Sequence, residues 1–422
     1  MKDPVPEQPK YTRWQKAWPL LLFLILGILN VFSMKFSYVI EAKGLDKYGV
    51  HAFQKPWFIT MMTFFGQSLA TFLYMILKID KFHKLTDFIK ITDLSFINFC
   101  EFAIPAIADV FEGIISAVTI AYIGASIDSM MKSCTLIGVS LISRFFFKKH
   151  FKKYQWTGIF LVIGALILVG AAGIINAHLS STIKASAGVA AVIIILKIIS
   201  QIGYSIKISY EEYFTQVKHY HPIMVSGLEG CWCTIISAFI CMPIAQHMPG
   251  TEGNGIREDT IDTFEMTKNS AALSILVVII FLLGFFYSIA SITLIQRTSA
   301  VVRSLWEAFR TFLIWVIQFI VFYTFRTNDT LYPYRLAGEE WVNGSYLKAV
   351  GFIILIFGIC CYHKLPKYPC FNYEEEEEVH DQSETTCENA KVALSPLIDE
   401  DEPPKINHNK DEDSVSSEDG GK

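Results

Sequence analysis

Four apolar stretches of the chain carry ionisable side chains at helical spacing. Glu101, Pro105, Asp109 and Glu112 recur at i, i+4, i+8 and i+11. Asp128 and Lys132 stand four apart. Lys197, Gln201 and Tyr204 follow at i, i+4 and i+7, and Arg303, Glu307 and Arg310 repeat that spacing. Residues so spaced share one face of a helix. An ionised group in hydrocarbon is costly, so it faces a water-filled cavity or an opposite charge. Asp109, Glu112, Asp128, Lys132, Lys197, Gln201, Tyr204, Arg303, Glu307 and Arg310 are therefore read as lining or gating a polar cavity. The competing reading is structural: ion pairs that lock helices together, or side chains near span ends that snorkel to the interface, as for Glu101, Glu229 and Arg303. Lys132, Lys197 and Arg310 suit an anion. Asp109, Glu112 and Glu307 suit a cation or a proton relay. The residues leave both open.

The elements that must hold these side chains are membrane spans. Of 422 residues, 52% are hydrophobic and 18% charged, and most charges fall in loops or in the C-terminal tail. Roughly 20 apolar residues cross a bilayer. Ten stretches meet that need: 17–38, 57–77, 95–123, 127–147, 155–176, 186–208, 222–245, 271–296, 300–324 and 347–363. The fold class is thus an all-α membrane protein with about ten transmembrane helices. Lys and Arg are roughly twice as frequent on the side that holds the N-terminus, a set that includes Lys148 to Lys153, Lys207 and Lys218. Both termini are expected in the cytosol. The two N-x-S/T sequons, at Asn328 and Asn343, then fall together on the opposite side and are the expected glycosylation sites. The acidic loop 246–270 falls there too.

After Phe371 the composition changes. Glu374 to Glu378 is a run of five glutamates, followed by polar and acidic residues up to Lys422. Such a segment buries too little apolar surface to fold alone, so 371–422 reads as a disordered cytosolic tail. Residues 1–16 read as a short cytosolic segment.

Enzyme chemistry finds little footing. There is no phosphate-binding glycine loop, nucleophile elbow or H-E-x-x-H. His219 and His221 lack a third ligand at metal spacing. Seven of the nine cysteines lie in apolar stretches and read as small hydrophobes. No catalytic residue, cofactor or metal is expected.

Several motifs in order carry a family resemblance. They are Phe53-Gln54-Lys55-Pro56, Met131-Lys132, and the basic hairpin Lys148 to Gln155 before Trp156-Thr157-Gly158. Next come Glu211-Glu212 with His221-Pro222, and Gly227-Leu228-Glu229-Gly230. The last is Thr298-Ser299-Ala300 through Arg303, Glu307, Arg310 and Trp315. Over about 17–365 the chain resembles the drug/metabolite transporter (EamA-like) superfamily and, within it, solute carrier family 35, subfamily F. The resemblance implies two inverted five-helix repeats, here 17–176 and 177–370, moving by alternating access around a central cavity. Better-known members carry nucleotide sugars. The Gly-Ala-Leu-Asn-Lys run associated with those carriers is absent from the ninth span.

One internal echo suits such a repeat. Asp128 and Lys132 follow Ala125 by three and seven residues, and Arg303 and Glu307 follow Ala300 by the same steps. The two opposite-charge pairs are expected to flank the cavity from its two ends. Glu211 and Glu212, with the basic hairpin, are read as a cytosolic gate.

The expected function is secondary transport or exchange of a small polar or charged metabolite, with nucleotide-sugar-like cargo as one option. The expected site is an internal membrane, lysosomal, endosomal or Golgi. The alternative is a non-transporting membrane scaffold or regulator that acts through its acidic tail. Expected partners are the lipid bilayer, a small-molecule substrate of unknown identity, a second copy in a homodimer, and a cytosolic sorting factor for the tail. No nucleic acid is expected. Lys132→Glu or Glu307→Lys alone should impair folding or activity. Wild-type behaviour of both in a size-exclusion and activity comparison would end the cavity-lining reading.

Overall fold

A chain segment in hydrocarbon must satisfy its own backbone groups, and an isolated segment does so only as a helix. The computed structural model describes residues 11–78, 96–122, 128, 131–132, 134–179, 187–250, 252, 257–326 and 338–363. All lie within the unit Met1–Tyr373. The acidic tail, Asn328 and Ala125 lie outside the described residues.

The helices, in chain order, are α1 (Arg13–Val39), α2 (Pro56–Lys78), α3 (Phe96–Glu101), α4 (Ala103–Tyr122), α5 (Thr135–Phe145), α6 (Lys153–Leu179) and α7 (Ala187–Glu212). Then come α8 (Pro222–Ile236), α9 (Met242–His247), α10 (Thr260–Asn269), α11 (Ala271–Arg297), α12 (Ala300–Arg326) and α13 (Gly344–Tyr362). Among the described residues, eight helical segments are long and apolar enough to cross a membrane. The protein is a multi-pass, all-α membrane protein. Helix α4, of 20 residues, and the short α5, of 11, lie among these spans in the chain order.

Helix ends follow local chemistry. Thr12 caps α1 in a capping box: its hydroxyl accepts from the Gln15 amide, while Gln15 Oε1 accepts from the Thr12 amide at 2.8 Å. Ser270 caps α11 and Asp259 caps α10. The span that begins at Pro222 widens to a π-helical turn at Ser237–Cys241 before α9. Pro243 lacks the amide that would continue the regular pattern there. The short hairpin β1 (Glu41–Lys43) and β2 (Val50–Ala52) pairs antiparallel, with Ala42 opposite His51.

In packing, α2 lies against α8 and α11, α4 against α7, α1 against α11, and α6 against α13. Helix α5 contacts α7 and α12. Glycine lets two of these pairs meet backbone to backbone. A Cβ on Gly66 would fall 1.8 Å from the Phe281 carbonyl oxygen, and one on Gly284 would fall 2.3 Å from that of Thr63. In the α6–α13 pair, Gly158 and Gly358 face each other's carbonyls. Gly164 and Gly170 of α6 have no neighbour within 4 Å of where a Cβ would project.

These two glycine classes separate in a simple test. Gly66→Ala should lower the melting temperature in detergent by an amount equivalent to about 1–3 kcal/mol, the usual cost of overpacking. Gly164→Ala should be neutral or gain up to about 1 kcal/mol, because alanine is the better helix former. Equal behaviour of the two variants would contradict the close α2–α11 crossing.

Candidate functional site

A cavity of about 230 Å³ lies at the centre of the bundle, among α1, α2, α4, α7, α11, α12 and the Asp128–Lys132 segment. It is slightly below the common range for small-ligand sites, roughly 300–1,000 Å³. Three charged networks surround it.

In the first, Lys197 of α7 is fully buried. Its ammonium lies 2.7 Å from Glu112 Oε1 and 2.7 Å from Asp128 Oδ1, and it donates to Ser116 Oγ at 2.5 Å. Ser116 in turn donates to both carboxylates. Gln201 donates to Glu112 at 3.2 Å and accepts from Thr135 at 2.7 Å. Lys132 adds a second cation, 3.6 Å from Asp128 and 3.7 Å from Glu112. Two carboxylates thus face two ammonium groups, and the network is charge-balanced.

The second network lies on α12. Glu307 accepts from Arg303 at 2.6 Å and from Arg310 at 3.0 Å, one on each oxygen. Arg303 also donates to Ser291 at 3.2 Å and Tyr204 at 3.1 Å, and Arg310 to Tyr287 at 2.6 Å. The buried Phe23 ring of α1 lies 5.4 Å from one guanidinium and 5.1 Å from the other. A ring face so placed attracts cations. Two guanidiniums against one carboxylate leave one positive charge in excess.

The third network centres on Lys207 of α7. Its ammonium lies 3.0 Å from Asp109, 3.3 Å from Glu211 and 3.3 Å from Glu229. Asp109, Glu229 and Cys233 also bring one ligand atom each within 4.8 Å of one another, a spacing that would suit a metal ion. Lys207 already holds the cationic position beside two of these three groups.

The cavity wall includes Asp109, Glu112, Asp128, Lys132, Tyr204, Arg303, Glu307 and Arg310. Lys197 and Gln201 stand behind it and brace it. The pairs Asp128–Lys132 and Arg303–Glu307 line one and the same cavity. Glu101 does not share it: the helix breaks at Phe102, and Glu101 pairs with Lys218 beyond the α3 end. Glu211 and Glu212 part company. Glu211 faces Lys207 and the cavity, while Glu212 accepts from Lys149 of the basic hairpin at 2.6 Å. Asn343 is exposed at the start of α13, whereas Ser345 of its sequon is buried.

Four participants escaped the sequence reading. Lys35 lines the cavity from α1, and as a charge within an apolar span it carried a usable signal. Lys207 read as a loop-end charge. Phe23 and Tyr287 look like ordinary apolar-face aromatics, and nothing in their spacing marks them.

Above the cavity, the hairpin and the loop before α11 form a charged cap. Lys55 pairs with Glu252 and, at 2.7 Å, with Asp262. His51 reaches Asp262 at 3.1 Å, and Lys47 reaches Asp259 at 2.7 Å. Glu258 accepts from the Trp57 and Phe58 amides at 2.5 and 2.9 Å, closing the N-terminus of α2 from 200 residues away. These contacts put the β1–β2 hairpin, Glu258 and the start of α10 on one face of the bundle. Arg297 reaches the Gln15 carbonyl on the other face.

No protein-family model matches the chain. It is 25% identical over 353 residues to solute carrier family 35 member F6 of Rattus norvegicus, covering 82% of this chain and 87% of that one. Identity to the Homo sapiens member F6 is 24% over 352 residues, with the same coverage. The chain is thus similar, along most of its length, to members of solute carrier family 35, subfamily F. A solved structure at 10% identity superposes with a TM-score of 0.50, over 82% of this chain and 99% of its own, and so shares the fold. In this chain the motif Gly227-Leu228-Glu229-Gly230 has two separate tasks. Its glycines admit the α2 backbone, while Glu229 enters the Lys207 network.

Glu258 generates a pH prediction. Burial pushes its carboxyl up to about 8, against the pull of the two amides and Lys55. A carboxyl raised on folding favours the folded state most below its unfolded value, and this contribution is lost as pH rises through about 8. The melting temperature of Glu258→Gln relative to wild type should therefore climb as pH is raised from mildly acidic to mildly alkaline. A constant difference across that window would mean that Glu258 is charged throughout.

Proposed function

We propose that the chain is a secondary carrier or exchanger of a small polar or charged metabolite, working by alternating access around the central cavity. One observation carries this reading. Seven segments converge on an internal space walled by ionised groups of both signs, in a bundle whose outer faces are apolar. Charges so placed are expensive, and those that face an open space and not only a partner suit a polar solute's path. The solute carrier names of the relatives agree with it, and they favour transport over an enzyme role.

The packing supports two inverted repeats of five spans, α1 to α6 and α7 to α13. If the second set repeats the first, the α4–α7 contact has α11–α1 as its counterpart, and both are extensive. The α2–α8, α5–α12 and α6–α13 contacts map onto themselves. The inward pair of networks follows the same logic. The Lys197 hub ties the first repeat to the second, and the Phe23–Arg303–Arg310 contacts tie the second to the first. In this scheme Lys149–Glu212 and Lys218–Glu101 are closures of one face, and the Lys55–Asp262 cap closes the other.

Reconstitution in liposomes tests the proposal. A radiolabelled panel of nucleotide sugars, nucleotides, amino acids, organic acids and amines should reveal saturable uptake of one class. Glu307→Lys should abolish it, since this change leaves three cationic side chains together. Uptake equal in protein-free vesicles and proteoliposomes across the panel would oppose the carrier reading.

A further inference from the structure

The three networks differ in charge balance, and the Lys207 network is the anomalous one. Three carboxylates, Asp109 of α4, Glu211 of α7 and Glu229 of α8, converge on one ammonium. Two negative charges remain uncompensated in a buried place. Glu229 is fully buried. Neither of its oxygens makes a hydrogen bond among the described residues, and Glu211 Oε2 likewise has none. Oε1 of Glu229 has only the 3.3 Å ion pair to Lys207. A buried carboxylate with a bare oxygen is strongly disfavoured as an anion. The other groups around it are Cys233 on its own helix, Tyr204 on α7 and Glu112 on α4. Lys207 is the cation paired with the cluster, and Arg303 of α12 acts on Glu211 from farther off across the cavity.

We infer that the Asp109–Glu211–Glu229 cluster around Lys207 is a proton-binding site, with Glu229 as the principal proton acceptor and the central cavity as the route of the proton. The occupant is settled by access. Asp109, Lys207 and Glu211 line the cavity, while Glu229 stands behind them. A solute's amine cannot reach Glu229 past that layer. A hydrated proton passes from cavity water to Asp109 or Glu211 and on to Glu229. Hydronium gives its proton to Asp109 or Glu211 and leaves water; that O–H bond then breaks as one forms on a Glu229 oxygen, and the cluster gains one positive charge. A metal ion would first have to displace the Lys207 ammonium. An oxygen of Asp109 lies within 4.8 Å of one of Glu229.

The consequence for transport rests on the carrier reading: proton occupancy of this site would supply the driving ion or the exchange partner. Proton binding itself does not need that reading, so it is tested without cargo. Reconstituted full-length protein is compared by infrared difference spectroscopy in acid and alkaline buffer, in potassium and in sodium salts. Wild type should show a carboxylic-acid carbonyl band that shifts in deuterium oxide. Glu229→Gln should lose that band, whereas Glu258→Gln, altered in the distant cap, should retain it and lose only the band of its own raised carboxyl. Asp109→Asn is the second variant: it should move the band, because it removes one competing carboxylate, and it guards against misfolding of Glu229→Gln. A band unchanged in both cluster variants would overturn the assignment. Loss of the band in sodium but not in potassium would overturn it in favour of a sodium site. Either result leaves the carrier reading standing, because cargo uptake is measured separately.

Discussion

An ionised side chain in hydrocarbon must find an opposite charge or water, and the interior of this bundle is organised by that requirement. Lys197 shows it most plainly. It has no exposed surface, and its ammonium is held by Glu112, Asp128 and Ser116. Those partners come from two other segments of the chain. Helices α4 and α7 and the Asp128–Lys132 segment can therefore approach only in the arrangement that brings these groups together. Removing one member would leave the others buried and unpaired, at a cost of about 3–5 kcal/mol.

The arginine network meets the same requirement by different means. Glu307 alone cannot neutralise Arg303 and Arg310. Tyrosine and serine hydroxyls and the face of Phe23 take up the remaining hydrogen bonds and part of the charge. The guanidinium suits this role, because its flat, delocalised cation can stack on a ring while donating at its edge. The outcome is a cavity with one positively biased wall and one negatively biased wall. Under the proposed carrier role, such polarity would orient a solute that carries charge.

Dry packing and charged closures divide the remaining work. Where α2 crosses α11 and where α6 meets α13, glycine lets backbones touch, and van der Waals contact replaces the missing hydrophobic drive between helices in lipid. At the two ends of the bundle the contacts are ion pairs among loops. Lys47 is largely exposed and its pair with Asp259 contributes little, whereas Lys55 and Asp262 are buried, and losing one of them would leave the other uncompensated.

By itself the sequence determined the class of the protein and the position of most charged stripes. Long apolar runs fix helices in a membrane, because hydrocarbon length and backbone satisfaction leave no other option. A charge at i and i+4 within such a run is visible without any structure. Partners are another matter. Asp128 and Lys132 read as a pair within one helix, yet Asp128 lies nearer to Lys197, 69 positions away. Glu211 and Glu212 are adjacent in sequence and belong to different networks. Glu101 shares the period of Asp109 and Glu112, but one break at Phe102 removes it from their face. Phe23, Glu258 and the bare oxygens of Glu229 acquire meaning only from what folds against them. Periodicity reports which face of a helix a residue occupies. Only the tertiary structure decides what that face meets, since in a bundle the neighbour is set by packing across the whole chain and not by distance along it.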